Sequence, residues 1–165
     1  MANSKHLWFS VSIILILSVV LAIVLTSSKN TFPRNSVIGI SNGLELTLKL
    51  EAESIRIGDQ MNLTLKLRNI SPHNITLKYG DSHVMEVYLY DQNLRLVTFL
   101  GKGCAWLQVI TNIRLEPREY KEWHISWTTM WKEDIIKPGR YLFQGEILRA
   151  VRTQFLPISI LPDET

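Results

Sequence analysis

Two hydrophobic patterns divide this chain. Residues 7–26, LWFSVSIILILSVVLAIVLT, run for twenty positions without a charge. A helix rises about 1.5 Å per residue, so this stretch spans about 30 Å, the thickness of a bilayer's hydrocarbon core. From Leu44 the period changes to two. Leu44, Leu46, Leu48 and Leu50 alternate with Glu45, Thr47, Lys49 and Glu51. Met61, Leu63, Leu65 and Leu67 alternate with Asn62, Thr64, Lys66 and Arg68, and Ile75, Leu77 and Tyr79 with Thr76 and Lys78. Met85, Val87 and Leu89 alternate with Glu86, Tyr88 and Tyr90. Alternation of this kind predicts half-buried strands, apolar side in. Later strands are expected over 94–99, 105–110, 120–127, 140–149 and 153–160. Pro157 places the last at an edge, and residues 129–136 have room for one helical turn.

Turn chemistry separates the strands: Ile57-Gly58-Asp59, Asn69-Ile70-Ser71-Pro72, Tyr79-Gly80-Asp81, Asp91-Gln92-Asn93, Gly101-Lys102-Gly103 and Lys137-Pro138-Gly139. Pro138 presets φ and Gly139 allows φ > 0, a type II turn that launches Tyr141. Seven to nine short strands with such punctuation predict an all-β, Ig-like antiparallel sandwich over 44–161. Ahead of it come a short tail (1–6), a transmembrane segment (7–26) and a linker (27–43) rich in Ser, Asn, Gly and Pro.

The apolar run is longer than the core of a usual signal peptide, and Thr26-Ser27-Ser28 is a poor cleavage site. The expectation is an uncleaved signal-anchor; cleavage would make the domain a secreted one. Nothing downstream can wrap a helix that is apolar all round, which argues against a buried core helix. Basic residues flank both ends, Lys5 on one side and Lys29 and Arg34 on the other, so charge does not set the orientation. A six-residue tail before a long domain favours the domain facing outside, a cell-membrane, extracytoplasmic placement.

Charge and cysteine narrow the function. Beyond residue 26 stand seventeen Lys and Arg and fifteen Asp and Glu, 17 − 15 = +2. That balance gives nucleic acid no basic stripe to bind. A single cysteine, Cys104, excludes an intrachain disulfide and a thiolate metal cage; it is expected to pack as a small hydrophobe between strands. The histidines His6, His73, His83 and His124 have no metal-ligand spacing, and a blue-copper loop would need His and Met close after Cys104, where the next are His124 and Met130. Asp81-Ser82-His83 is no hydrolase triad, because neighbours on an extended chain point to opposite sides. No catalytic residue, metal, cofactor or small-molecule substrate is expected. Trp123, Ile125 and Trp127 share one face of their strand; core filling is the favoured reading, and an exposed binding face is the alternative. Three N-x-S/T sequons fall at Asn62, Asn69 and Asn74. Asn62 and Asn74 are expected to face solvent as N-glycosylation sites in a host that glycosylates, whereas Pro72 handicaps Asn69.

Four segments in order carry a family resemblance: residues 57–71, a Gly turn followed by alternation and an Asn-x-Ser end; Met85 to Asp91; Leu115-Glu116-Pro117-Arg118-Glu119 leading to Trp123 and Trp127; and Lys137-Pro138-Gly139-Arg140-Tyr141. Together they resemble the BsuPI-type intracellular proteinase inhibitor domain over roughly 44–160, with Arg118 standing where that family usually has Gly. The resemblance implies an Ig-like sandwich that does not catalyse, and a protein partner. Three roles follow as expectations: a membrane-anchored binding domain; a proteinase inhibitor, presenting an exposed loop at 99–105 or 129–137; or a structural subunit of a membrane complex.

Overall fold

The computed structural model describes residues 35–131 and 134–163, all in one compact unit spanning 33–165. The expected membrane segment, 7–26, lies outside the described residues. Within them the chain is all-β, and no described segment is a helix.

One sheet is antiparallel in the order β1 (Ser36–Ser41), β2 (Leu44–Leu50), β4 (Gln60–Asn69), β9 (Tyr120–Thr128). The other runs β3 (Ser54–Arg56), β14 (Leu156–Leu161), β12 (Gly139–Ile147), β6 (Met85–Asp91), β7 (Leu96–Phe99), with β13 (Val151–Arg152) also on β12. β5 (Ile75–Tyr79) and β8 (Thr111–Leu115) form a ribbon, and β10 (Met130–Trp131) and β11 (Asp134–Ile135) a small hairpin where one helical turn was expected. The total exceeds the seven to nine strands expected, partly because four of the fourteen hold only two or three residues.

The alternation decides which faces meet. Leu44, Leu46, Leu48 and Leu50 pair in register with β4, whose Met61, Leu63, Leu65 and Leu67 are buried beside them. Val87, Leu89, Phe143, Ile147, Leu156, Ile158 and Ile160 form the facing side of the core. The two sheets approach closely at Gly145, where an added Cβ would collide with Leu65. Trp127, 3% exposed, stands edge-on to Phe143 at 5.0 Å and 88°. Ile125 is buried and Trp123 half-buried, so the tryptophan stripe fills core.

Three expectations change. First, residues 36–41, expected as linker, are strand β1. Asn42 (φ 49°) and Gly43 (φ 76°) close a two-residue hairpin with Ser41 opposite Leu44, the geometry in which Asn-Gly is favoured because both positions need φ > 0. Second, β14 is flanked on both sides, by β12 and by the short parallel β3. Ser159 N–H donates outward to Glu53 O at 3.1 Å, so the backbone nitrogen of Pro157, two residues earlier, faces the same side. β3 pairs only from Ser159 onward, so Pro157 forfeits no ladder bond. Third, Gly139 takes an extended φ of 158° as the first residue of β12 and not a type II turn; Tyr141 Oη closes this corner by donating to Lys137 O at 2.9 Å.

Candidate functional site

β6 and β12 are antiparallel neighbours, and their register sets Glu86 directly opposite Glu146. Both side chains lie on the outward face of the sheet, as the alternation requires, since Val87 and Phe143 point into the core. Yet Glu86 is 1% and Glu146 6% exposed. The residues after β7 fold back over this face, so a position read as solvent-facing becomes an interior one. Two buried carboxylates need partners, and each has its own set.

Glu86 Oε1 accepts from the N–H of Val87 at 2.9 Å and of Gly101 at 3.0 Å, and Oε2 lies 3.1 Å from His83 Nε2. Gly101 is required here: a Cβ would stand 2.5 Å from Glu86 Oε2 and 2.9 Å from Trp106. Glu146 Oε2 accepts from Tyr88 Oη and from Arg152 Nη2, both at 2.9 Å. The Tyr88 hydroxyl is held well above its ordinary value, first by burial and then by its bond to Glu146. Arg152 is likewise raised, by its own hydrogen bond to Glu146. Burial, then the charge of Glu146, raises Tyr79, whose buried Oη has no hydrogen-bond partner among the described residues. A cleft of about 370 Å³ runs beside this group, lined in part by Lys78, Tyr79, His83 and Arg149.

The polar footing carries an apolar loop. His83 stacks on Trp106 with centroids 4.2 Å apart and planes 5° from parallel. Ser82 N–H donates to Leu107 O and Leu107 N–H to Ser82 Oγ, both at 2.9 Å. Beyond these anchors the chain is exposed: Leu107 by 71%, Val109 by 52% and Ile110 by 79%. Residues 105–110 were expected as a strand; they form none, because Ser82 fixes one residue, Leu107, without a ladder. Cys104, expected between strands, is exposed on the same loop.

Asp81-Ser82-His83 is dispersed as expected. Asp81 Oδ1 accepts from the His83 N–H at 2.9 Å, Ser82 holds Leu107, and the imidazole turns to Glu86. Among the described residues no His, Cys, Asp or Glu cluster has metal-holding geometry. Of the sequons, Asn62 and Asn74 are exposed and Asn69 is fully buried. Asn69 Nδ2 donates to His73 O at 2.7 Å and Leu115 O at 3.1 Å, while Oδ1 accepts from Ser71 N–H and Oγ. Its amide joins β4, β8 and the turn between β4 and β5, and a sugar there would replace one of its two N–H donors at a fully buried position.

The family model described as BsuPI, intracellular proteinase inhibitor, matches residues 47–151. The chain belongs to this family. The matched span of the BsuPI domain holds both carboxylates and the whole apolar loop, and the family is one of inhibitors, not of enzymes. Arg118, where the family usually has Gly, adopts φ 69°, so the turn keeps the glycine conformation with a bulkier residue. No curated protein matches the chain significantly. Among solved structures, a β-glucosidase from Listeria innocua shares 18% identity at TM-score 0.47, over 74% of this chain and 16% of its own. One from Erythrobacter marinus shares 15% at 0.43, over 69% and 15%. A CARDB domain from Pyrococcus furiosus shares 13% at 0.39, over 69% of this chain and 84% of that one. The chain thus spans about a sixth of the β-glucosidases' length, and likeness at this level carries nothing about activity.

Proposed function

We propose that this BsuPI protein is a membrane-anchored, Ig-like binding domain that engages another protein, without catalysis, through the 104–110 loop. In this reading residues 7–26 are a single-pass signal-anchor, 1–6 stay in the cytoplasm, and the domain from β1 to β14 faces outside. The observation that carries the binding role is the inversion at this loop: carboxylates buried beneath, large apolar side chains exposed above. An apolar segment held rigidly in water is the mark of an interaction surface. Affinity capture from membranes tests it, with Leu107→Asp/Ile110→Asp beside the wild type. A partner lost from the variant supports the loop as the contact; a partner captured equally by both refutes it. Resistance of the protein to alkaline extraction, with the domain cleaved by protease added outside intact cells, is the outcome expected of the anchor and orientation.

A second reading makes that partner a protease. The reciprocal Ser82–Leu107 bonds and the Trp106 stack favour it, because an inhibitory loop must resist the motion that cleavage needs. Stoichiometric slowing of a protease by the intact protein would support inhibition. Cleavage within 104–110 at a substrate's rate would sink it.

A further inference from the structure

The sheet edges of this domain are unequally protected. β1 is covered: Gln154 N–H donates to Ile38 O at 3.3 Å, and a Cβ on Gly39 would collide with the Arg152 carbonyl. β3 and β7 are three and four residues long. Among the described residues β9, at nine residues, pairs on one side only, with β4. The direction of its unpaired groups follows from two bonds. Asn69 N–H donates to Glu119 O, and Ile70 N–H to Gly43 O. Odd residues of β4 therefore turn toward β9 and even ones toward β2. The register joins Leu67 to Lys121, Leu65 to Trp123 and Leu63 to Ile125, so odd residues of β9 bond to β4. The N–H and C=O groups of Glu122, His124 and Ser126 point out of the sheet, with no backbone partner among the described residues.

We propose that this edge pairs with β9 of a second copy of the chain, antiparallel about Trp123, to make one continuous sheet across a two-fold axis. An isologous edge pair must match its own sequence reversed, and its hydrogen-bonded rows must join even residues to even ones. Four such registers centre on the middle of the strand. Centring on Glu122 sets two carboxylates face to face, and centring on His124 sets two imidazoles together. Centring on Ile125 leaves Glu122 opposite Thr128. Centring on Trp123 places Glu122 opposite the partner copy's His124, twice by symmetry, and the two half-buried Trp123 side chains against each other. The imidazole N–H of His124 can donate to the Glu122 carboxylate in this register, and aromatic cross-strand pairs are stabilising. Glu122 and His124 are both exposed on the outer face, where His124 Nδ1 lies 3.4 Å from Thr64 Oγ1.

The test is sedimentation of the full-length chain in detergent, with Glu122→Arg, His124→Glu and the double exchange. Glu122→Arg leaves a guanidinium facing an imidazole and His124→Glu sets two carboxylates together, so each single variant is expected to weaken dimerisation about tenfold; the double exchange restores it through an Arg–Glu pair on each side of the axis. Circular dichroism melts confirm that all three remain folded. A wild type that stays monomeric overturns the proposal and makes Lys121 and Glu122 guards of an idle edge. A dimer indifferent to the single variants, or one that the double exchange fails to restore, overturns it as well.

Discussion

Glu86→Ala should destabilise the domain far more than Glu86→Gln, and the gap between them separates the hydrogen bonds of this carboxylate from its charge. Alanine strips the partner from the N–H groups of Val87 and Gly101 and from His83. A buried donor left unmade costs about 1–3 kcal/mol. With two backbone donors involved, and water able to reach the partly exposed imidazole, the loss is about 3 kcal/mol. The charge works in the opposite direction. Cross-strand neighbours stand about 5 Å apart, and two carboxylates there, at an effective dielectric near 20, repel by about 3 kcal/mol. Arg152 on Glu146 cancels much of that. Glutamine keeps an oxygen for Val87 and Gly101, loses the charge-assisted part of those bonds, and gains relief from Glu146, so the change should stay within about 1 kcal/mol. In urea, with a slope near 2 kcal/mol per molar, the alanine midpoint falls by about 1.5 M and the glutamine midpoint by under 0.5 M. The alanine variant alone should also be cut faster within 104–110, because the footing of Trp106 is gone. Equal midpoints for the two variants would refute the account, as would an alanine variant whose loop resists protease as the wild type does.

Arg118 holds φ 69°, a conformation that costs a side chain about 1–2 kcal/mol; Arg118→Gly should raise stability by about 0.5–1 kcal/mol after the extra chain entropy of glycine, read as a higher urea midpoint. Tyr79→Phe removes a buried hydroxyl that lacks a partner among the described residues and should be neutral or stabilising by about 1 kcal/mol, whereas a loss would mean the hydroxyl is bonded. The Tyr88 hydroxyl is raised in the folded state by burial and Glu146, so its contribution is whole below about pH 10 and lost as pH climbs above that unfolded value; the fall in urea midpoint above pH 10 should be shallower in Tyr88→Phe. Expressed through a glycosylating secretory route, the protein should lose one glycan step with Asn62→Gln and one with Asn74→Gln, and none with Asn69→Gln, by gel shift after glycosidase treatment.

The fold was legible wherever burial followed from local alternation. The leucines of β2 and β4 and the Trp123–Trp127 stripe needed nothing beyond period two and a core to face. β1 was missed: Asn42-Gly43 between Val37-Ile38 and Leu44 carried a hairpin signal, but the Ser and Asn around it gave the segment a linker's composition. The site was not legible, for a physical reason. Glu86 occupies an outward position of its strand, and what buries it is a segment arriving from fifteen residues later, at Gly101. Alternation reports the face of a sheet, not what lies on that face. The same long-range return exposes Cys104 and keeps residues 105–110 out of any ladder. The family signature fared better at Arg118, where the Pro117 turn required φ > 0 whatever residue filled it.

The exposed loop is too small to hold a tight complex alone, and this separates the two readings of function. A fully buried Leu, Val or Ile side chain gains about 1.5–3 kcal/mol. Leu107, Val109 and Ile110 are exposed by 71%, 52% and 79%, and Trp106 by only 38%, so covering them all yields about 6 kcal/mol before costs. Association consumes at least about 4 kcal/mol in rigid-body freedom, although the anchoring of Trp106 and Leu107 removes the further cost of ordering the loop. The remainder leaves the loop a weak binder unless neighbouring surface joins it. Proteinase inhibition of nanomolar strength requires about 12 kcal/mol, hence backbone hydrogen bonds in the protease cleft or a second patch. A binding domain confined to a membrane requires neither, since tethering raises the effective concentration of a weak contact. Leu107→Asp/Ile110→Asp should therefore abolish a weak tethered interaction outright, yet leave measurable inhibition if the partner is a protease gripped through the loop's backbone.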